Sequence, residues 1–143
     1  MKITVAWQPP KRFEATAESG AKMLMDARLE SGGGGAGPSP METVLAALAG
    51  CTGSDVTEIL RKMRAPLEGL TISVEAERAV EHPRVFTKIH LRYAAWGAGL
   101  ERDQVERAVT LSKDKYCSVS AMLSRATAIT YELVVSERPQ TVA

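Results

Sequence analysis

The stretch GPSPMETVLAALAGC, residues 37–51, constrains the chain more than any other. It opens as a helix opens. Ser39 stands where an N-cap belongs, Pro40 at the first helical position, and Glu42 three residues after the serine, so Ser39-x-x-Glu42 reads as a capping box. Apolar residues then recur close to every 3.6 positions, at Met41, Val44, Leu45, Leu48, Cys51, Val56, Ile59, Leu60 and Met63. Over residues 44–53 the helix is small or apolar nearly all round, which predicts burial on several sides. Ala46, Ala47, Ala49, Gly50 and Gly53 would let another backbone approach closely. Charges resume at Asp55, Glu58, Arg61 and Lys62, predicting a wet face, and Pro66 and Gly69 mark the exit.

Three short strands are predicted before this helix, over residues 2–7, 12–17 and 22–27, as an antiparallel meander. Ile3, Val5 and Trp7 alternate along the first, the pattern of a half-buried strand. SGGGGAGPSP, residues 31–40, reads as a flexible linker and lacks the G-K-[ST] ending of a phosphate-binding loop. After the helix, residues 70–80 and 85–95 alternate apolar and polar and are joined by the turn EHPR. Residues 101–113 read as a helix with Val105, Ala108, Val109 and Leu111 inward. The polar cluster SKDKYCS interrupts it. Residues 119–126 resume helical spacing through Met122, Leu123 and Ala126, and 129–135 form a closing strand. This order is no regular βαβ alternation. It predicts one domain over residues 1–143, α+β in class, with antiparallel sheet.

The chemistry is narrowed by what is missing. Net charge is +1 with no basic or acidic block, and aromatic residues make up 5%, so neither nucleic acid nor an anionic membrane surface is an expected partner. No apolar run reaches the ~18 residues of a membrane span, and no signal-like segment opens the chain. The expected location is the cytoplasm, where Cys51 and Cys117 are thiols. No C-x-x-C is present. A zinc site from Cys51, Cys117, His82 and His90 lacks clustered ligand spacing. His82 reads as a solvated turn residue, and His90 falls on the strand face opposite Ile89 and Leu91. Neither metal nor cofactor is expected. Neither cysteine lies in a nucleophile elbow or a cysteine-protease signature.

What remains is thiol redox chemistry. A thiolate attacks the O–O bond of a peroxide and becomes a sulfenic acid, which a second cysteine converts to a disulfide. This needs a thiol of lowered pKa with a cation nearby. On position alone Cys117 is favoured as the more acidic thiol. It follows Lys113 and Lys115, and a helix restarting near Ser118 would place its positive end at the sulfur.

PSPMETVLAALAGC followed later by KYCSVSAML resembles the OsmC/Ohr family of hydroperoxide-reducing proteins, in particular its less-characterised OsmC-like branch. The likeness covers essentially the whole chain. It implies an OsmC-like fold in an intertwined homodimer, with long central helices and antiparallel sheets built from both chains. It implies a thiol peroxidase of oxidative stress defence, acting on organic hydroperoxides and recycled by a dithiol reductant. Cys51 takes the peroxidatic role and Cys117 the resolving one, with a Cys51–Cys117 disulfide between turnovers. The family sets an arginine–glutamate pair beside the reactive thiol. Arg28 is the best positional match for the arginine and Arg12 the alternative. The position that directly follows the helix-starting proline, where the family has its glutamate, is Met41 here, and Glu42 comes one place later. That departure supports the alternative reading, a non-catalytic OsmC-like dimer that binds a small apolar ligand.

Overall fold

The structure, a computed structural model, describes residues 1–140. It divides into two compact units, Met1–Ala46 and the chain from Ala47 onward.

In the first unit β1 (Ile3–Gln8), β2 (Arg12–Ala17) and β3 (Lys22–Asp26) form the expected antiparallel meander in the order β1-β2-β3. Trp7 lies opposite Phe13, and Ala15 lies opposite both Val5 and Met23. Residues directly opposite share a face, so Ile3, Val5, Trp7, Phe13 and Met23 all stand on one side. The half-buried β1 predicted from alternation is not what forms. All six of its residues are exposed, and Ile3, Val5 and Trp7 keep 60%, 48% and 61% of their surface in water. The alternation is real, but the large apolar side chains on that side stay partly in water, while Ala15 between them is buried.

The glycine-rich segment is not a slack linker. The buried carboxylate of Asp26 accepts the backbone N–H groups of Gly34 and Ala36 through Oδ2, each at 3.1 Å. The Asp26 N–H donates to the Pro38 carbonyl at 3.1 Å, and Gly35 N–H to the Ala27 carbonyl. Gly33 packs so tightly on Ala27 that a Cβ there would lie 2.0 Å from a carbonyl oxygen. Glycine is needed at that position for close approach rather than for flexibility.

α1 (Pro40–Lys62) carries the chain into the second unit. Its buried residues are Leu48, Thr52, Val56 and Leu60, one every four positions. The buried stripe is therefore narrower than the all-round burial predicted for residues 44–53. Ala46, Ala47 and Gly50 are exposed, because their small side chains make the helix apolar by composition without supplying surface to bury.

β4 (Gly69–Arg78) and β5 (Phe86–Trp96) pair antiparallel as predicted, and Ile89, Leu91 and Tyr93 point into the core with Val105, Ala108 and Val109 of α2 (Arg102–Leu111). Burying each such aliphatic side chain is worth roughly 1.5–3 kcal/mol. β6 (Ala128–Ser136) departs from expectation, because it runs parallel to β5. The sheet β4-β5-β6 is thus mixed rather than antiparallel. The cause lies in the connection. Parallel neighbours need a long crossover, and the helices between β5 and β6 provide it. The class remains α+β.

Those helices differ from the predicted pair in one respect. SKDKYCS does not break the helix but widens it. Ser112–Tyr116 continues α2 as a π-helical turn, closed by Cys117 N–H donating to the Ser112 carbonyl at 2.8 Å. α3 (Ser118–Leu123) follows, shorter than predicted, and Met122 on it is 64% exposed. No helix among the described residues is long and apolar enough to cross a membrane.

Candidate functional site

In the first unit, Ser39 and Glu42 form the predicted capping box and something more. Glu42 Oε2 accepts the Ser39 N–H at 2.8 Å and the Ser39 hydroxyl at 2.7 Å, while Glu42 N–H donates to Ser39 Oγ at 3.3 Å. Its other oxygen, Oε1, accepts a charge-assisted hydrogen bond from the Arg28 guanidinium. One carboxylate therefore starts the helix and holds the arginine. The Ser39 N–H, then the Ser39 hydroxyl and Arg28, pull the Glu42 pKa down to about 2, and Glu42 raises that of Arg28. The structure brings Arg28 and Glu42 together despite Met41 at the preceding position. Arg12 is engaged elsewhere, its Nε 3.7 Å from Asp26 Oδ2.

In the second unit, Cys51 and Asp55 are four residues apart on α1 and so share a face. Cys117 is the N-cap of α3. The sulfurs of both cysteines and a carboxylate oxygen of Asp55 all lie within 4.8 Å of one another. Both thiols are free, Cys51 half-buried and Cys117 buried. A helix does restart at Ser118, and the Ser120 N–H donates to Cys117 Sγ at 3.3 Å. Even so, Cys117 is not the acidic thiol that position alone suggests. Burial pushes its pKa up to about 11 against that hydrogen bond, and the nearby Cys51 and Asp55 push the same way. Lys113 and Lys115 do not offset this. Their ammonium groups lie over the rings of Tyr131 and Tyr116.

Behind Asp55 runs a directed hydrogen-bond chain. The Ser112 hydroxyl donates to Asp55 Oδ2 at 2.9 Å. A hydroxyl has one proton to give, so Ser112 accepts from Thr52 at 2.9 Å and Thr52 accepts from the Tyr93 hydroxyl at 2.8 Å. Tyr93 stays protonated, its pKa raised to about 12 by burial. Asp55 also borders a cleft of about 440 Å³ lined by Ile59, Met63, Leu111 and Tyr116 with Glu58 and Lys62.

The histidines stand apart from the thiols. His90 Nδ1 bonds Thr130 Oγ1 at 2.8 Å, and His82 is exposed in the β4–β5 turn. The groups that sequence reading missed are Asp55, Thr52, Ser112 and Tyr93. Asp55 reads in sequence as the first charge of a wet helix face, whereas it is half-buried. Its one legible signal is the four-residue spacing from Cys51.

Comparison with known proteins gives the family of the chain. The OsmC-like protein family matches residues 32–132. Protein YhfA of Escherichia coli is 41% identical over 138 residues, covering 95% of this chain and all of that protein. A hypothetical protein from Aquifex aeolicus has a similar solved structure, at a TM-score of 0.79 and 29% identity over 95% of this chain and 97% of that one. An organic hydroperoxide resistance protein OsmC from Legionella pneumophila shares the fold at a TM-score of 0.66 and 19% identity, over 95% of this chain and 97% of that one. On the extent of these matches, the chain belongs to the OsmC-like family.

Proposed function

We propose that the chain is a thiol-dependent peroxidase that reduces organic hydroperoxides in a reducing compartment such as the cytoplasm. The observation that carries this reading is the pair of free thiols within 4.8 Å, the more accessible at Cys51 and the buried one at Cys117. Cys51 thiolate attacks the distal oxygen of the hydroperoxide, the O–O bond breaks, and the alkoxide leaves to take a proton as the alcohol. The sulfur, oxidised by two electrons, is then a sulfenic acid. Cys117 sulfur attacks it, the S–O bond breaks, and water leaves with the Cys117 proton. A disulfide of about 2.05 Å requires the sulfurs to close by under ~3 Å. A dithiol reductant returns both thiols. Arg28, held by Glu42, is proposed as the cationic partner of the reaction, and the apolar cleft beside Asp55 suits the organic part of the substrate.

A homodimer acting as one OsmC-like domain per chain is part of the proposal. The uncovered apolar side of β1–β3 and the small-residue face at Ala46, Ala47 and Gly50 support it. The apolar lining of the cleft favours the second reading, a non-catalytic dimer that binds a small apolar ligand.

Thiol titration before and after one equivalent of an organic hydroperoxide separates the two. The peroxidase is expected to lose both thiols to an intramolecular disulfide, and Cys51→Ser to consume no peroxide. Thiols that survive the peroxide would sink the peroxidase reading and leave the binding protein.

A further inference from the structure

We propose that Cys51, Cys117 and Asp55 form a binding site for a thiophilic divalent cation of the zinc type, which holds both thiols reduced and unreactive while it is bound. The site shares its thiols with the proposed peroxidase but does not depend on that reaction. The carrying observation is the convergence of three ligand atoms from two elements within 4.8 Å. In a tetrahedral zinc site, metal–sulfur bonds of ~2.3 Å and metal–oxygen bonds of ~2.0–2.2 Å put the ligands about 3.5–3.8 Å apart. Side-chain rotation of roughly 1 Å would bring this cluster to that geometry.

The supporting framework is of the kind metal sites use. Cys51 and Asp55 occupy positions i and i+4 of one helix, the spacing by which H-E-x-x-H presents two ligands on one face. Cys117 faces them from the end of the π-helical turn. Each of the last two ligands has an outer partner. Ser112 donates to Asp55 Oδ2, backed by Thr52 and Tyr93, and the Ser120 N–H donates to Cys117 Sγ. Such partners orient ligands and tune the metal.

Charge argues in the same direction. All three groups are anionic when they act as ligands, and Asp55 has no ion-pair partner among the described residues. A divalent cation would offset the negative charge that the ligands carry once it has displaced the thiol protons. Two thiolates and one carboxylate select zinc over magnesium or calcium, which take oxygen ligands. Three protein ligands leave a fourth position for water. Binding transfers no electrons. The cation replaces the thiol protons, which go to solvent, and the sulfur lone pairs that would attack an O–O bond are engaged in bonding to it.

The test is a titration of the fully reduced protein with Co²⁺, followed by displacement with Zn²⁺. One cobalt per chain is expected, with thiolate-to-cobalt charge-transfer absorption, tetrahedral ligand-field bands and release of about two protons per ion. Cys51→Ser and Cys117→Ser should each remove part of the charge-transfer intensity. Asp55→Asn should weaken binding by at least about tenfold, the loss that even an outer partner produces, with circular dichroism confirming its fold. Absence of the charge-transfer band, or equal affinity in Asp55→Asn, overturns the site. Peroxide oxidation of the metal-free protein is read separately, as disulfide formation. Failure there removes the peroxidase and leaves the metal site standing, and the converse holds as well. If both stand, the zinc-loaded protein is expected to resist peroxide until a chelator is added.

Discussion

Cys51 and Cys117 are neighbours in different surroundings, and the roles proposed for them follow that difference. Cys117 is buried and its pKa lies near 11, so at neutral pH it keeps its proton and waits as a thiol. Cys51 is half-buried and is the more accessible of the two sulfurs. Glu42 shows how far one side chain can serve two masters. The capping box was legible in the sequence because both of its halves are local. The grip on Arg28 was not, since it depends on where β3 ends and α1 begins. Asp55 was missed for a related reason. A lone charge on a helix reads as surface unless its partner Ser112 is known, with Thr52 and Tyr93 behind it, and two of these three come from other elements of the chain. The Glu42 pKa makes a stability prediction. Its folded value of about 2 lies below the ordinary 4.5, so its contribution is complete above 4.5 and is lost as pH falls from there toward 2. Glu58, lowered to about 2 by Arg61, and Asp26, lowered mainly by the Ala36 N–H, titrate in the same direction. The comparison must therefore be with Glu42→Gln. Urea midpoints measured across that window should fall less steeply with acid in the variant than in the parent. Parallel slopes would mean that the Glu42 carboxylate is not stabilised in the folded chain.

Elements were easier to read than their pairing. α1, the β1–β3 meander and the β4–β5 hairpin all follow from periodicity, because a strand or helix face is written in local spacing. That β6 lies parallel to β5 is not written there. Alternation fixes which side of a strand is buried and says nothing about which strand it joins or in which direction. The π-helical turn at Ser112–Tyr116 was hidden in the same way. Its polar residues look like a break, while Ser112 at its start bonds Thr52 and Asp55 and Cys117 at its end caps the next helix. The chain from Tyr93 through Thr52 to Ser112 consequently ties β5, α1 and the π-helical turn together. Thr52→Val keeps the shape and removes the central donor and acceptor. It should cost about 1–3 kcal/mol, the price of buried hydroxyls left without a partner, measured as a lowered denaturation midpoint with an unchanged slope. A midpoint equal to the parent's would show that water or a rotated hydroxyl replaces the bond at no cost.

At the scale of the whole molecule, the question is what covers the apolar side of the first sheet. A sheet can leave one face in water when that face is polar. Here the polar face carries Thr4, Glu14, Thr16 and Lys22, and the opposite face carries Ile3, Val5, Trp7, Phe13 and Met23, all more than a third exposed. A contiguous apolar surface of this kind marks an interaction site. The proposed homodimer supplies an occupant of matching chemistry, since a two-fold interface is self-complementary and apolar can meet apolar. Trp7 is the largest side chain on that face, and buried tryptophans dominate interface energetics. Trp7→Glu should therefore weaken the dimer by about 2 kcal/mol or more, roughly thirtyfold or more in affinity. Sedimentation velocity across a dilution series reads this directly. The parent should run as a dimer and the variant should shift toward monomer, with the antiparallel meander retained by circular dichroism. A parent that sediments as a monomer at every concentration would remove the homodimer from the proposal. A variant that stays as dimeric as its parent would move the interface elsewhere, with the exposed Ala46, Ala47 and Gly50 face of α1 the next place to test.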